Sequence, residues 1–160
     1  MKPISLIFIL FISLYACKNK SHQKQQIKNP EISFKKQGNL QVIDSSGAEK
    51  ATFDIEFATT DYAQQTGLMY RTKMKDRQAM LFIFNEAQPR YFYMKNTYIP
   101  LDIIFVAPDS TIVSIAKDAK PLDESILPSK KPAQFVLEIK AGLADQLGIQ
   151  KGDQLKWKKL

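Results

Sequence analysis

From Gly38 to Leu160 the chain is a succession of short apolar runs, each closed by a turn signal, with no long stretch of helical periodicity. That pattern admits few folds. Leu40 to Asp44 reads as a strand ending at the turn Ser45-Ser46-Gly47. Thr52 to Phe57 alternates, with Phe53, Ile55 and Phe57 on one side and Thr52, Asp54 and Glu56 on the other. Met80 to Phe84 (MLFIF), Tyr91 to Met94, Leu101 to Val106, Thr111 to Ala116, Phe135 to Ile139 and Leu155 to Trp157 complete the set. Pro108-Asp109-Ser110 marks a tight hairpin. A short helix is expected where Thr59-Thr60-Asp61 offer caps and Tyr62, Thr66 and Met69 fall at helical spacing. A second is expected at Ala141, Ala144 and Leu147, stopped by Gly148. About eight short strands and two short helices predict a mainly β domain, a small antiparallel β-barrel or sandwich. No repeat and no second domain is visible.

Upstream of that domain the composition changes. Residues 18–37 are lysine, glutamine and serine with almost no apolar period, which reads as a flexible tether. This stretch decides what the formal charge of +7 means. It carries six lysines against Glu31, whereas the chain from Gly38 has 16 basic and 15 acidic residues. The domain is therefore nearly neutral, and nucleic-acid binding loses its main support. A basic tether beside a membrane gains up to about 1 kcal/mol per residue near acidic head groups. The simpler reading, a solubilising spacer, is the favoured one.

Residues 1–16 read as a secretory signal: a basic start at Lys2, then an apolar core from Ile4 to Leu14 about half the length of a spanning helix. The end of that segment, Leu14-Tyr15-Ala16-Cys17, resembles the lipobox of bacterial lipoprotein precursors. The resemblance implies acylation at Cys17, the only cysteine in the chain. Acyl chains contribute roughly 0.8 kcal/mol per buried methylene, enough for several to anchor a protein. The same resemblance implies that lysine rather than aspartate at position 18 favours the outer membrane, with the domain facing the periplasm. The expected organisation is a signal at 1–16, a lipidated tether at 17–37 and one domain at 38–160.

Much chemistry is excluded from the domain. The single histidine, His22, lies in the tether, so the domain has neither histidine nor cysteine. Serine–histidine and cysteine–histidine catalysis are out, as are metal sites built on those ligands. There is no glycine-rich nucleotide loop. No cofactor is expected. Met69, Met74, Met80 and Met94 supply soft thioethers, but they are unclustered and two lie within apolar strands, as core fillers do.

Two stretches stand out: Gly67-Leu68-Met69-Tyr70-Arg71, and the aromatic strand with its polar turn from Tyr91 to Asp102. Arg71, Lys95, Asn96, Thr97 and Asp102 can form a polar rim for a small ligand. They can equally cap a turn and pair at a corner. Lys95 with Asp102 or Glu138 is the one acid–base pairing on offer.

Together GLMYR at 67–71, MLFIF at 80–84, YMKNTYIPLDIIFV at 93–106, VLEIKAG at 136–142 and GIQKGD at 148–153 resemble the family called domain of unknown function 192. The resemblance spans nearly the whole domain and implies a compact β-rich fold. It marks Gly67, Met69, Arg71, Met94, Lys95, Asn96, Thr97, Pro100 and Asp102 as a signature, and implies no activity or catalytic residue. Ala79-Met80 and Tyr93 depart from the family's usual Gly-Met and Trp. The combined expectation is a lipid-anchored, monomeric envelope domain that binds a small molecule or another envelope protein without catalysis. The alternatives are a histidine-free carboxylate/lysine enzyme and an interaction module presenting Tyr91, Tyr93 and Tyr98.

Overall fold

The computed structural model describes residues 32–160; the expected signal, Cys17, His22 and most of the tether lie outside the described residues. The last tether residues bond to the domain. The Lys35 N–H donates to Glu56 at 2.7 Å, and the Gln37 N–H donates to the Ile55 carbonyl at 2.8 Å.

Nine strands and two helices follow. They are β1 (Gly38–Ile43), β2 (Glu49–Ala58), α1 (Asp61–Thr66), β3 (Gln78–Gln88), β4 (Tyr91–Phe92) and β5 (Leu101–Val106). After these come β6 (Ile112–Ala119), β7 (Leu127–Pro128), β8 (Ala133–Lys140), α2 (Leu143–Gln146) and β9 (Gln154–Lys159). Seven strands make one sheet in the order β6-β5-β8-β3-β2-β1-β9, and β4 pairs with β7 in a two-stranded sheet. The domain is mainly β, as the short runs predict.

Three expectations need correction. The main sheet is mixed: β2 and β3 run parallel, and the connection between them carries α1. Nor does the sheet close into a barrel. The corner before β6 meets the start of β9 through the isolated bridge of Thr111 to Gln154 and the backbone hydrogen bonds beside it. These run from the N–H groups of Leu155, Ile112 and Gly152 to the carbonyls of Ser110, Asp153 and Ile112, but β6 and β9 form no continuous ladder. The first helix is also shorter than its periodicity suggests. It ends at Thr66, where the Gly67 N–H bonds to the Ala63 carbonyl, so Met69 lies beyond it.

Both faces of the sheet are covered. On one, Leu40, Phe53, Ile55, Leu81, Ile104 and Leu137 pack beneath Leu143, Ala144 and Ile149 from α2 and the residues after it. On the other, Met80, Phe82, Ile103, Phe105 and Val136 pack beneath Leu68, Met94 and Phe92. Phe92 meets Phe82 and Phe105 edge-on at 5.2 and 5.8 Å, which fastens the small sheet to the large one. All six residues of β5 are buried, so Leu101–Val106 shows no alternation in sequence.

Candidate functional site

Strand register sets out the site. Glu56 on β2 lies beside Met80 on β3, Met80 beside Glu138 on β8, and Glu138 beside Ile103 on β5. One row across the sheet therefore carries two carboxyl groups on the same face, two strand spacings (about 10 Å) apart. Both are buried. Arg71, from the loop after α1, enters this row with its Nη2 2.5 Å from Glu56 Oε2. The pair is only 11% and 9% exposed. The contact is an ion pair and not an aligned hydrogen bond, because Glu56 Oε2 has no donor directed at it.

Glu138 is different. Its Oε2 is buried without a hydrogen-bond partner, as is the Nε of Arg71. Burial pushes the Glu138 carboxyl up to about 8, and the nearby Arg71 charge only partly offsets this. The row thus holds the Glu56–Arg71 ion pair and a Glu138 that is uncharged at neutral pH.

Glu138 also reaches the floor of a cavity of about 430 Å³. One wall is α1 with the turn Gly67–Met69; another is the segment from Pro89 to Tyr93; Phe82, Phe84 and Thr97 complete the lining. Arg90 lies 3.7 Å over the ring of Phe84, and its Nε donates to the Ala133 carbonyl at 3.1 Å. Gly67 keeps the approach to Glu138 open. Its backbone sits at φ 48 and ψ −128, where a side chain is strained. A Cβ there would stand 3.0 Å from Phe82 Cζ and 3.8 Å from Glu138 Oε2.

With this geometry in hand, the similarities are specific. The model of the DUF192 family, described as an uncharacterized ACR, matches residues 42–157. The chain belongs to the DUF192 family. A protein of unknown function from Novosphingobium aromaticivorans is 44% identical with a TM-score of 0.70, over 74% of this chain and 84% of that one. A candidate transcription regulator from Sinorhizobium meliloti is 38% identical with a TM-score of 0.74, over 79% of this chain and 97% of that one. No match was found among curated proteins.

The DUF192 signature residues mostly hold the chain to itself. The Tyr70 N–H donates to the Asn96 carbonyl at 2.8 Å, and Asn96 Nδ2 donates back to the Tyr70 hydroxyl at 2.9 Å. Both residues have left-handed backbones, φ 63 and 54, so GLMYR and KNT form a clasp between two loops. Asp102 is fully buried on the opposite face from Glu138; it accepts from the N–H groups of Asp118 and Ala144. Lys95 is half exposed and lies 3.9 Å from Glu124. The Ala141 N–H bonds to the Pro100 carbonyl, and Met94 is core.

Hence Arg71, Lys95, Asn96, Thr97 and Asp102 do not share one rim. Thr97 lines the cavity and Arg71 stands in the carboxylate row beside it; Asp102, Asn96 and Lys95 lie elsewhere. The pairings of Lys95 with Asp102 or Glu138 are not formed either. Cys17 lies outside the described residues. Among the described residues no three His, Cys, Asp or Glu side chains are gathered for a metal.

Glu56 is not distinguished in the sequence from Thr52 and Asp54 on the same side of its alternating strand. Glu138 drew notice only as a partner for Lys95, yet it stands in one of the most apolar runs, FVLEI. Its burial predicts a pH effect. The native carboxyl holds its proton up to about pH 8, whereas the unfolded one releases it near 4.5. The native state thus binds more protons between these values. The contribution of Glu138 to stability is fully present below 4.5 and falls by up to about 1.4 kcal/mol per pH unit until pH 8. Urea titrations from pH 5 to 9 are expected to show this slope in the wild type and to lose most of it in Glu138→Gln.

Proposed function

We propose that this DUF192 domain is a non-catalytic binding module that takes a small molecule in the Phe82–Glu138 cavity. One observation carries the reading: a buried carboxyl with an unpartnered oxygen stands at the floor of an aromatic-walled cavity. A buried polar atom left without a partner is unfavourable by about 1–3 kcal/mol, so a ligand that satisfies it gains that amount. The enzyme alternative draws nothing from the geometry, because the lysine it needs is paired at the surface.

The cavity sits in a domain carried on a lipid anchor. What supports this is the sequence alone, through the lipobox-like end at Cys17 and the basic tether. The domain then faces the periplasm, with the outer membrane favoured, as a monomer. The near balance of 16 basic and 15 acidic residues from Gly38 argues against nucleic acid as its partner, so the description of the Sinorhizobium relative is not carried across.

The test is a thermal-shift screen of the full chain with small aromatic and aliphatic molecules bearing one polar head. A ligand at 100 times its Kd stabilises the native state by about 2.7 kcal/mol. Hits are expected to shift the wild type and not Met69→Trp, which fills the cavity. Hits that shift both equally place binding elsewhere. In the same cells, fatty-acid labelling is expected in the wild type and absent in Cys17→Ser.

A further inference from the structure

We infer that the cavity's ligand is a small organic cation, a protonated amine on an apolar body, with Glu138 as its counter-ion. The inference rests on the binding reading above and names its ligand class.

The charges near the cavity decide it. The Arg71 guanidinium is already engaged by Glu56. Arg90 is tied to the carbonyls of Ala133 and Glu86 and covers one face of Phe84. Both guanidinium groups are thus tied to acceptors through part of their donors, with the Nε of Arg71 alone left without a partner. Glu138 forms no ion pair among the described residues: its Oε2 receives no donor, and the Arg71 charge nearby only partly offsets its burial. An ammonium group reaching the floor supplies the missing donor and the missing charge together. The aromatic lining favours the same ligand, because ring faces attract cations and an apolar body packs against Phe82, Phe92 and Tyr93. An anion is disfavoured by the Asp61 carboxylate in the lining.

Binding is then a proton exchange. Glu138 gives its proton to solvent, the ammonium keeps its own, and an N–H···O bond forms between them. No covalent bond changes. The burial that keeps Glu138 uncharged when empty makes affinity depend on pH, because ligand and proton compete for one carboxylate.

Benzylamine serves as the probe and benzyl alcohol as its neutral counterpart, titrated calorimetrically into the full chain from pH 6 to 9. Two buffers of different ionisation heat count protons. Benzylamine is expected to release nearly one proton per site at pH 6–7, with affinity rising about tenfold per pH unit and levelling near pH 8. Glu138→Gln is expected to lose at least about tenfold in affinity and the pH dependence with it. Met69→Trp, which leaves Glu138 in place, is expected to abolish binding should the glutamine variant fold poorly. If benzyl alcohol binds as well as the amine, with affinity flat below pH 8, the cation inference falls while the binding reading stands. If neither probe binds and the screen above finds no hit, both fall.

Discussion

Replacing Asp102 by alanine is expected to destabilise the domain by roughly 2–4 kcal/mol, measured by urea unfolding. The size follows from what the carboxylate holds. One oxygen accepts the Asp118 N–H and the other the Ala144 N–H, both at 2.9 Å. These donors belong to different parts of the fold. Asp118 has a left-handed backbone, φ 52, where the β5–β6 register shifts between Leu101 and Ile103. Ala144 is in the first turn of α2, whose own N-cap, Gly142, has no side chain to offer. Asp102 thus caps a helix from a neighbouring strand while pinning a bulge. Alanine leaves both N–H groups without that acceptor and a small void in a fully buried place. Asparagine keeps one acceptor and turns an NH₂ toward the other donor, so an intermediate loss is expected. Amide exchange at Ala144 and Asp118 is expected to quicken most. A loss below about 1 kcal/mol with unchanged exchange would show that water replaces the carboxylate.

The same residue shows what the sequence could and could not reveal. Asp102, Asn96 and Thr97 are conspicuous as polar groups among apolar ones, and that contrast is a reliable sign that they are used. It does not say by what. Here Asp102 serves N–H groups from β6 and α2, Asn96 serves the Tyr70 hydroxyl, and Thr97 Oγ1 donates to the Lys95 carbonyl. Alternation correctly divided Phe53, Ile55 and Phe57 from Asp54 and Glu56, but it cannot tell whether the second face meets solvent. Long-range pairing decides that, and it placed Glu56 and Glu138 in one covered row. Strand direction is equally invisible locally, so short strands alone suggest an antiparallel sheet where β2 and β3 run parallel. Leu127–Pro128 is too short to register as a strand, although it pairs with β4 over the cavity-lining segment. The turn at Gly67 was the fairest clue: a glycine after a helix is common, but one between a carboxyl and a phenyl ring is not placed by capping alone.

The second large effect is expected at Arg71. Arg71→Ala leaves Glu56 buried beside the Lys35 N–H with no counter-charge, and removing one partner of a buried pair typically costs about 3–5 kcal/mol. The loss is expected to grow with pH. Arg71 holds the Glu138 carboxyl lower than burial alone would leave it, so without the guanidinium Glu138 keeps its proton to still higher pH. The variant's native state then binds more protons than the unfolded chain over a wider range, and its stability falls further between pH 5 and 9. Wild type and variant should accordingly fall in parallel up to about pH 8 and lie further apart at pH 9. The double variant Arg71→Met/Glu56→Met separates charge from packing. An apolar replacement of a buried pair is often neutral, so the double variant is expected to be more stable than Arg71→Ala. Equal destabilisation of the two would mean that Arg71 matters as the stem that fastens the 67–71 loop to the sheet. The ion pair would then be incidental to stability, leaving Glu56 and Arg71 as a charge arrangement kept for the cavity beside them.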